Sequence, residues 1–186
     1  LYRKNSMSIN NLDQLLQNIK FKSKNITSNL KSILKINLKE IKKEWPKNLP
    51  KRIIHADLFI DNIFFNKNKF SGFIDFYFSC TDYSMYEIAI CINALCFNKN
   101  KKKFTLNKKK VKNLINGYQS IKKLSKKEKN ALNILCRGAA LRYLLTRIYD
   151  YFNTPKTALI KIKDPNEYLQ KLIIHNKLNR YNDYYN

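Results

Sequence analysis

The 186-residue chain has no paired cysteines, no long apolar run and few acidic side chains, and each shortage excludes something. Cys80, Cys91, Cys96 and Cys136 form no Cys-x-x-Cys pair and have no histidine at ligand spacing, which removes a zinc site and a disulfide framework from consideration. Four unpaired thiols belong to a reducing cytosol. No apolar stretch reaches the roughly 18 residues that a spanning helix requires; the best, around Ile88 to Phe97, is short and interrupted by Asn93. A cytoplasmic protein without a membrane partner is expected. Only 13 acidic residues face 37 Lys and Arg, a formal net charge of +24, and an imbalance of that size raises nucleic acid as a partner. The excess is nearly all Lys, spread from Lys4 to Lys177 and mixed with Asn and Ile, as an A- and T-rich codon bias produces. Lysine tracts such as those around Lys101 and Lys109 then read as solvated surface. Loose polyanion attraction is expected, and specific nucleic-acid recognition is not. The chain opens on Leu1 and not on Met, with nothing resembling a signal peptide, so a fragment is expected.

What is present is a 44% hydrophobic chain of one-domain size. Apolar residues recur at threes and fours from Asn11 to Phe21 and from Ile26 to Trp45, which predicts two amphipathic helices. Pro46 and Pro50 close that region. Ile53-Ile54, Ile63 to Phe65 and Phe70 to Phe78 are β-branched and aromatic, with Asn66-Lys-Asn68 as a turn; they predict a short strand, a loop and a hairpin. Helical periodicity returns at about Tyr86 to Phe97, Lys109 to Ser120, Lys126 to Phe152 and Pro165 to Leu178, with Ser125 and Asp164 as caps. Everything after the hairpin is expected to be helical. The fold class is α+β and mainly α, divided into a helical lead-in (1–50), a β segment (51–80) and a helical subdomain (81–186).

The β segment carries the chemistry. His55-Ala-Asp57-Leu-Phe-Ile-Asp61-Asn62 reads His-x-Asp-x-x-x-x-Asn between apolar strands, the spacing of a kinase catalytic loop. Phosphoryl transfer to an alcohol needs a carboxylate to take or orient the hydroxyl proton and an oxygen ligand to hold Mg²⁺ against the phosphates. Asp57 and Asn62 fit those roles, and the hairpin delivers Asp75 as a second magnesium ligand. Taken singly, these residues read as turn formers or caps; order, spacing and flanking strands together favour the chemical reading. His55 is expected to support the loop by hydrogen-bonding the backbone near the metal-binding Asp. Asp61 either reaches the metal's surroundings or caps the turn.

Ala56, where protein kinases have Arg, directs the match to the aminoglycoside phosphotransferase and choline kinase-like family, whose members phosphorylate small molecules. Ile54 to Phe65, Gly72 to Cys80, Ala89 to Phe97, Gly117 to Ser120, Arg137 to Asp150 and Lys163 to Leu169 resemble the homoserine kinases of that family. The resemblance implies a protein-kinase-like fold, ATP and Mg²⁺ as cofactors, and transfer of the γ-phosphate to the side-chain hydroxyl of L-homoserine in threonine biosynthesis. Asp57 then takes the base position, and Asn62 and Asp75 the metal positions. A kinase for another small alcohol, such as choline, an aminoglycoside or methylthioribose, and an inactive lobe are the alternatives. Two departures stand out. Relatives commonly read Tyr-Asp after the hairpin where this chain has Tyr86-Glu87, and it has no Gly-rich strand hairpin and no strand Lys with a partnering Glu. The resemblance thus covers the C-terminal, helical lobe.

Arginine is sparse here, and three of the six, Arg137, Arg142 and Arg147, fall in one expected helix. Their planar forks suit buried carboxylates or a substrate carboxylate. Steps of five turn a helix by about 140°, so the three do not share a face. Arg142 is the candidate for the substrate carboxylate, Asp82 for its ammonium, and Tyr149 with Tyr143 for the pocket wall. Arg147 and Asp150 are spaced to pair along the helix.

Overall fold

The computed structural model describes residues 2–21, 24–155, 157–159 and 162–185, with no account of the side chains of 24–28; Leu1 lies outside them. The lead-in is helical as its periodicity requires: α1 spans Leu12–Asn18 and α2 Lys24–Glu44, burying Leu34, Leu38 and Ile41 along one stripe. After the prolines come β1 (Lys51–Ile54), the hairpin β2 (Ile63–Asn66) and β3 (Lys69–Phe73), and β4 (Cys80–Tyr83). Lys67 and Asn68 both have positive φ, the two-residue turn whose twist suits a hairpin.

The strand expected over Phe70 to Phe78 is broken. β3 ends at Phe73, Asp75 turns the backbone left-handed at φ 60°, a 3₁₀ turn covers Phe76–Phe78, and β4 pairs back with β1, Ile54 opposite Cys80. The opening segment joins that ribbon, with Thr81 N donating to Arg3 O.

Beyond β4 run α3 (Ser84–Leu95), a ribbon of β5 (Phe97–Asn100) and β6 (Lys103–Leu106), then α4 (Lys108–Ile121), α5 (Lys126–Asn130), α6 (Leu132–Asn153) and α7 (Asn166–Asn176). This corrects two expectations. The region after the hairpin is not wholly helical, and the helix expected from Lys126 to Phe152 breaks at Ala131. Ser125 caps α5 with a full capping box to Glu128. Asp164 accepts from Asn166 N at the start of α7.

α6 is the axis of the core. It is apolar nearly all round, from Leu132 through Leu135, Leu141 and Leu145 to Ile148, as a helix enclosed by others must be. α7, α3, α1 and α2 pack on it. Among the described residues no helix is long and apolar enough to cross a membrane.

Candidate active site

The loop between β1 and β2 is held by its backbone. Ala56 is fully buried with φ 63°, a conformation that costs a non-glycine residue about 1 kcal/mol or more and persists only where neighbours impose it. Here they do. Glu87 on α3 accepts from Ala56 N at 2.8 Å, while Arg142 Nη1 and the Tyr143 hydroxyl on α6 reach Ala56 O at 2.6 and 3.1 Å. Burial pushes the Glu87 carboxyl up, and the Ala56 amide works against that shift. Burial disfavours the charge on Arg142, but Tyr143, Tyr86 and Asp57 outweigh it and hold its pKa above the ordinary value.

Asp57 follows at once. Its Oδ1 accepts from the Tyr143 hydroxyl at 3.0 Å, so one α6 side chain fixes both the loop and the carboxylate. Burial raises the Tyr143 hydroxyl well above its usual range, which keeps it a donor. His55 sits beneath: Nδ1 accepts from Asp57 N at 3.3 Å and Nε2 lies 2.8 Å from Ile74 O. With Nδ1 accepting, Nε2 is the nitrogen that donates to Ile74 O, so the ring bridges the two halves of the site.

The hairpin register then sets Asn62 beside Asp75. Ile63 pairs with Phe73, and Ile74 N donates to Asn62 O at 3.1 Å. Asn62 Nδ2 donates to Asp57 O at 2.9 Å, and its Oδ1 has no hydrogen bond among the described residues. An amide oxygen and an adjacent carboxylate are hard oxygen donors of the type Mg²⁺ takes, completing its octahedron with water and phosphate oxygens. The donor set fits that ion. No group of three His, Cys, Asp or Glu residues that could hold a metal occurs among the described residues, so an all-protein cage is not offered there. Asp61, exposed in the 3₁₀ turn Ile60–Asn62, lines the same cleft.

That cleft has a volume of about 480 Å³ and includes Asp57, Asn62, Asp75, Tyr143, Arg147, Asp150 and Lys163 in its lining. Tyr143, Thr146, Arg147 and Asp150 follow one another at i, i+3, i+4 and i+7, a single stripe of α6. A depression of similar size between α1 and α2 is lined largely by exposed lysines such as Lys31, Lys35 and Lys39.

The structure places the remaining candidates differently. Arg142 lines the cleft, but its Nη1 is committed to Ala56 O and its guanidinium lies against the Phe78 and Tyr143 rings; it is a strut under the loop. Asp82 is outside the lining, its carboxylate accepting from Asn5 Nδ2 at 2.7 Å and Tyr83 N at 2.7 Å. Tyr149 is exposed and outside the lining as well. Arg147 does not pair with Asp150: it donates to Asp164 O at 3.0 Å and Glu167 Oε2 at 2.8 Å. Arg137 points elsewhere again, to Glu40 on α2. Sequence reasoning missed Asp150, Thr146 and Lys163. The stripe at threes and fours was the available signal for the first two, but α6 is too uniformly apolar to mark its cleft-facing side.

Residues 7–102, just over half the chain, match the model of the phosphotransferase enzyme family, and the chain belongs to that family. Its similarity to named members is high. It is 42% identical over 175 residues to a homoserine kinase of Sinorhizobium fredii, covering 94% of this chain and 53% of that protein. It is 42% identical over 181 residues to one of Paramagnetospirillum magneticum (94% and 55%), and 52% identical over 122 residues to one of Acidiphilium cryptum (66% and 37%). The chain thus spans at most about half the length of these curated relatives.

Proposed function

We propose that this chain is the C-terminal, acceptor-binding lobe of an ATP-dependent kinase that phosphorylates the side-chain hydroxyl of L-homoserine, giving O-phospho-L-homoserine for threonine synthesis. The observation that carries the reading is the clamped Asp57: a carboxylate held by Tyr143 at the mouth of a cleft, with Asn62 Oδ1 and Asp75 beside it. Homoserine kinase names among relatives similar over 94% of the chain supply the acceptor.

In the proposed reaction Asp57 accepts or orients the proton of the acceptor hydroxyl, and the oxygen attacks the γ-phosphorus of ATP while ADP leaves. Tyr143 fixes one oxygen of Asp57, and Oδ2 has no partner among the described residues, so it is available to the hydroxyl. Asn62 and Asp75 would hold Mg²⁺, which when bound supplies positive charge against the phosphoryl oxygens. His55, Glu87 and Arg142 keep the loop in place without touching the reactants. The lead-in (1–50) braces α6, residues 51–80 form the catalytic loop and hairpin, and 81–186 build the acceptor side.

The test uses protein expressed from the complete gene, assayed for ATP turnover with L-homoserine, choline, an aminoglycoside and methylthioribose. Selective turnover with homoserine is expected, and its absence rejects the acceptor assignment. Asp57→Asn is expected to lower kcat by about 10²- to 10⁴-fold, the range for losing a positioned general base, with circular dichroism unchanged. Activity that survives the substitution would remove Asp57 from the role.

A further inference from the structure

Two opposite charges in the cleft have no ion-pair partner among the described residues. Asp150 and Lys163 both line it. Among the described residues the Asp150 carboxylate has no hydrogen-bond or ion-pair partner, and the only recorded contact of Lys163 is its ammonium 5.3 Å from the centre of the Phe59 ring. The two are not paired with each other. Their neighbours differ: Arg147 is committed to Asp164 O and Glu167, and Arg142 to Ala56 O. The cations that line the cleft among the described residues are Arg142, Arg147 and Lys163, and none of them pairs with Asp150, which leaves its carboxylate to a cation that arrives with a ligand.

The spacing agrees. Asp150 lies two helical turns after Tyr143, the residue that holds Asp57, a rise of about 10.5 Å along α6. An acceptor whose hydroxyl meets Asp57 and whose ammonium meets Asp150 needs two charge-assisted contacts of about 2.8 Å each. Between them it needs a four-bond chain of about 5 Å, from hydroxyl oxygen to amine nitrogen, built from bonds of about 1.5 Å. A γ-hydroxy α-amino acid has that chain, and its carboxylate, branching from the same carbon as the nitrogen, would face a second, positive group nearby.

We infer that Asp150 and Lys163 form the subsite for the zwitterionic head of the acceptor, Asp150 taking the ammonium and Lys163 the carboxylate, and so determine specificity for an amino-acid alcohol. This rests on the reading of the chain as a kinase acting on L-homoserine, and it assigns the head group to residues other than Arg142 and Asp82.

The experiment compares L-homoserine with 4-hydroxybutanoate, which lacks the amine, and 3-amino-1-propanol, which lacks the carboxylate, using the protein from the complete gene and its Asp150→Asn and Lys163→Gln variants. Each lost charged contact is expected to cost about 10- to 100-fold in kcat/KM, the equivalent of a charge-assisted hydrogen bond. Asp150→Asn should lower kcat/KM for homoserine and 3-amino-1-propanol and leave 4-hydroxybutanoate unchanged. Lys163→Gln should lower it for homoserine and 4-hydroxybutanoate and spare 3-amino-1-propanol. The KM for ATP should not move in either variant. Equal losses on all three alcohols, or no loss on homoserine, overturn the subsite. If the unsubstituted enzyme ignores homoserine, the acceptor assignment fails first, and that result is seen before any variant is made.

Discussion

At the scale of single residues, the loop from His55 to Asn62 depends on groups far from it in sequence. Ala56 donates to Glu87 and accepts from Arg142 and Tyr143, so α3 and α6 hold its backbone from both sides. Glu87→Ala should leave the buried Ala56 amide without a partner, a loss of about 1 to 3 kcal/mol, and release the loop. The expected outcome is a lower denaturation midpoint with a fall in kcat larger than any change in the KM for ATP; an unchanged kcat would show that Arg142 and Tyr143 suffice. The order and spacing of Asp57, Asn62 and Asp75 were legible because loop and hairpin form locally, and register alone brings Asn62 beside Asp75. Glu87 was marked by its departure from the relatives' Asp, and it does make a structural contact, to Ala56 N; Asp150 and Lys163 were not legible as cleft residues. Their place in the cleft is set by tertiary packing: Asp150 ends a short polar stripe on an otherwise largely apolar α6, and Lys163 lies in the connection between α6 and α7.

Among elements, the helices were legible wherever periodicity was strong, and the misread segments have identifiable causes. The β5–β6 ribbon lies in the lysine-rich tract, where the alternation of Lys103-Phe104-Thr105-Leu106 is short and the turn uses Lys101 at φ 51° in place of Gly or Asn. The ribbon is secured from a distance: Gln170 on α7 accepts from Phe104 N and donates to Lys102 O. At Gly138 on α6, a β-carbon would run into the Trp45 ring. Trp45 itself packs edge-on against Tyr86, one residue before Glu87, so a displaced ring disturbs that contact. Gly138→Ala should therefore destabilise the protein despite alanine's better helix propensity, by about 1 to 3 kcal/mol for overpacking. Trp45 is the sole tryptophan, so its fluorescence should report both the displaced ring and the lower urea midpoint. A variant as stable as the parent would mean that the ring swings aside freely.

On the scale of the whole molecule, a polar network through the interior joins α3, α6 and α7. His175 is fully buried, with Nδ1 2.9 Å from the Tyr184 hydroxyl and Nε2 3.2 Å from Asn93 Oδ1. Asn93 donates to Cys136 O on α6 and accepts at its own carbonyl from Lys171, which pairs with Glu167 and through it with Arg147 at the cleft wall. Burial drives the His175 pKa from 6.5 to about 3, with Lys171 and Arg137 adding repulsion. The unfolded chain therefore binds a proton near pH 6.5 that the folded chain refuses until about pH 3. Between those values the unfolded state holds more protons, so stability rises with pH up to about 6.5 and falls as the solution is acidified below it. The slope from this residue approaches roughly 1.4 kcal/mol per pH unit. Urea midpoints measured from pH 7 to pH 4.5 should fall steeply for the parent protein and less steeply for His175→Gln, which keeps polar contacts but has no proton to gain. Parallel pH profiles for the two would show that His175 is not the group responsible, and would leave the carboxylates, Glu167 with its lowered pKa first among them, as the source of any acid lability.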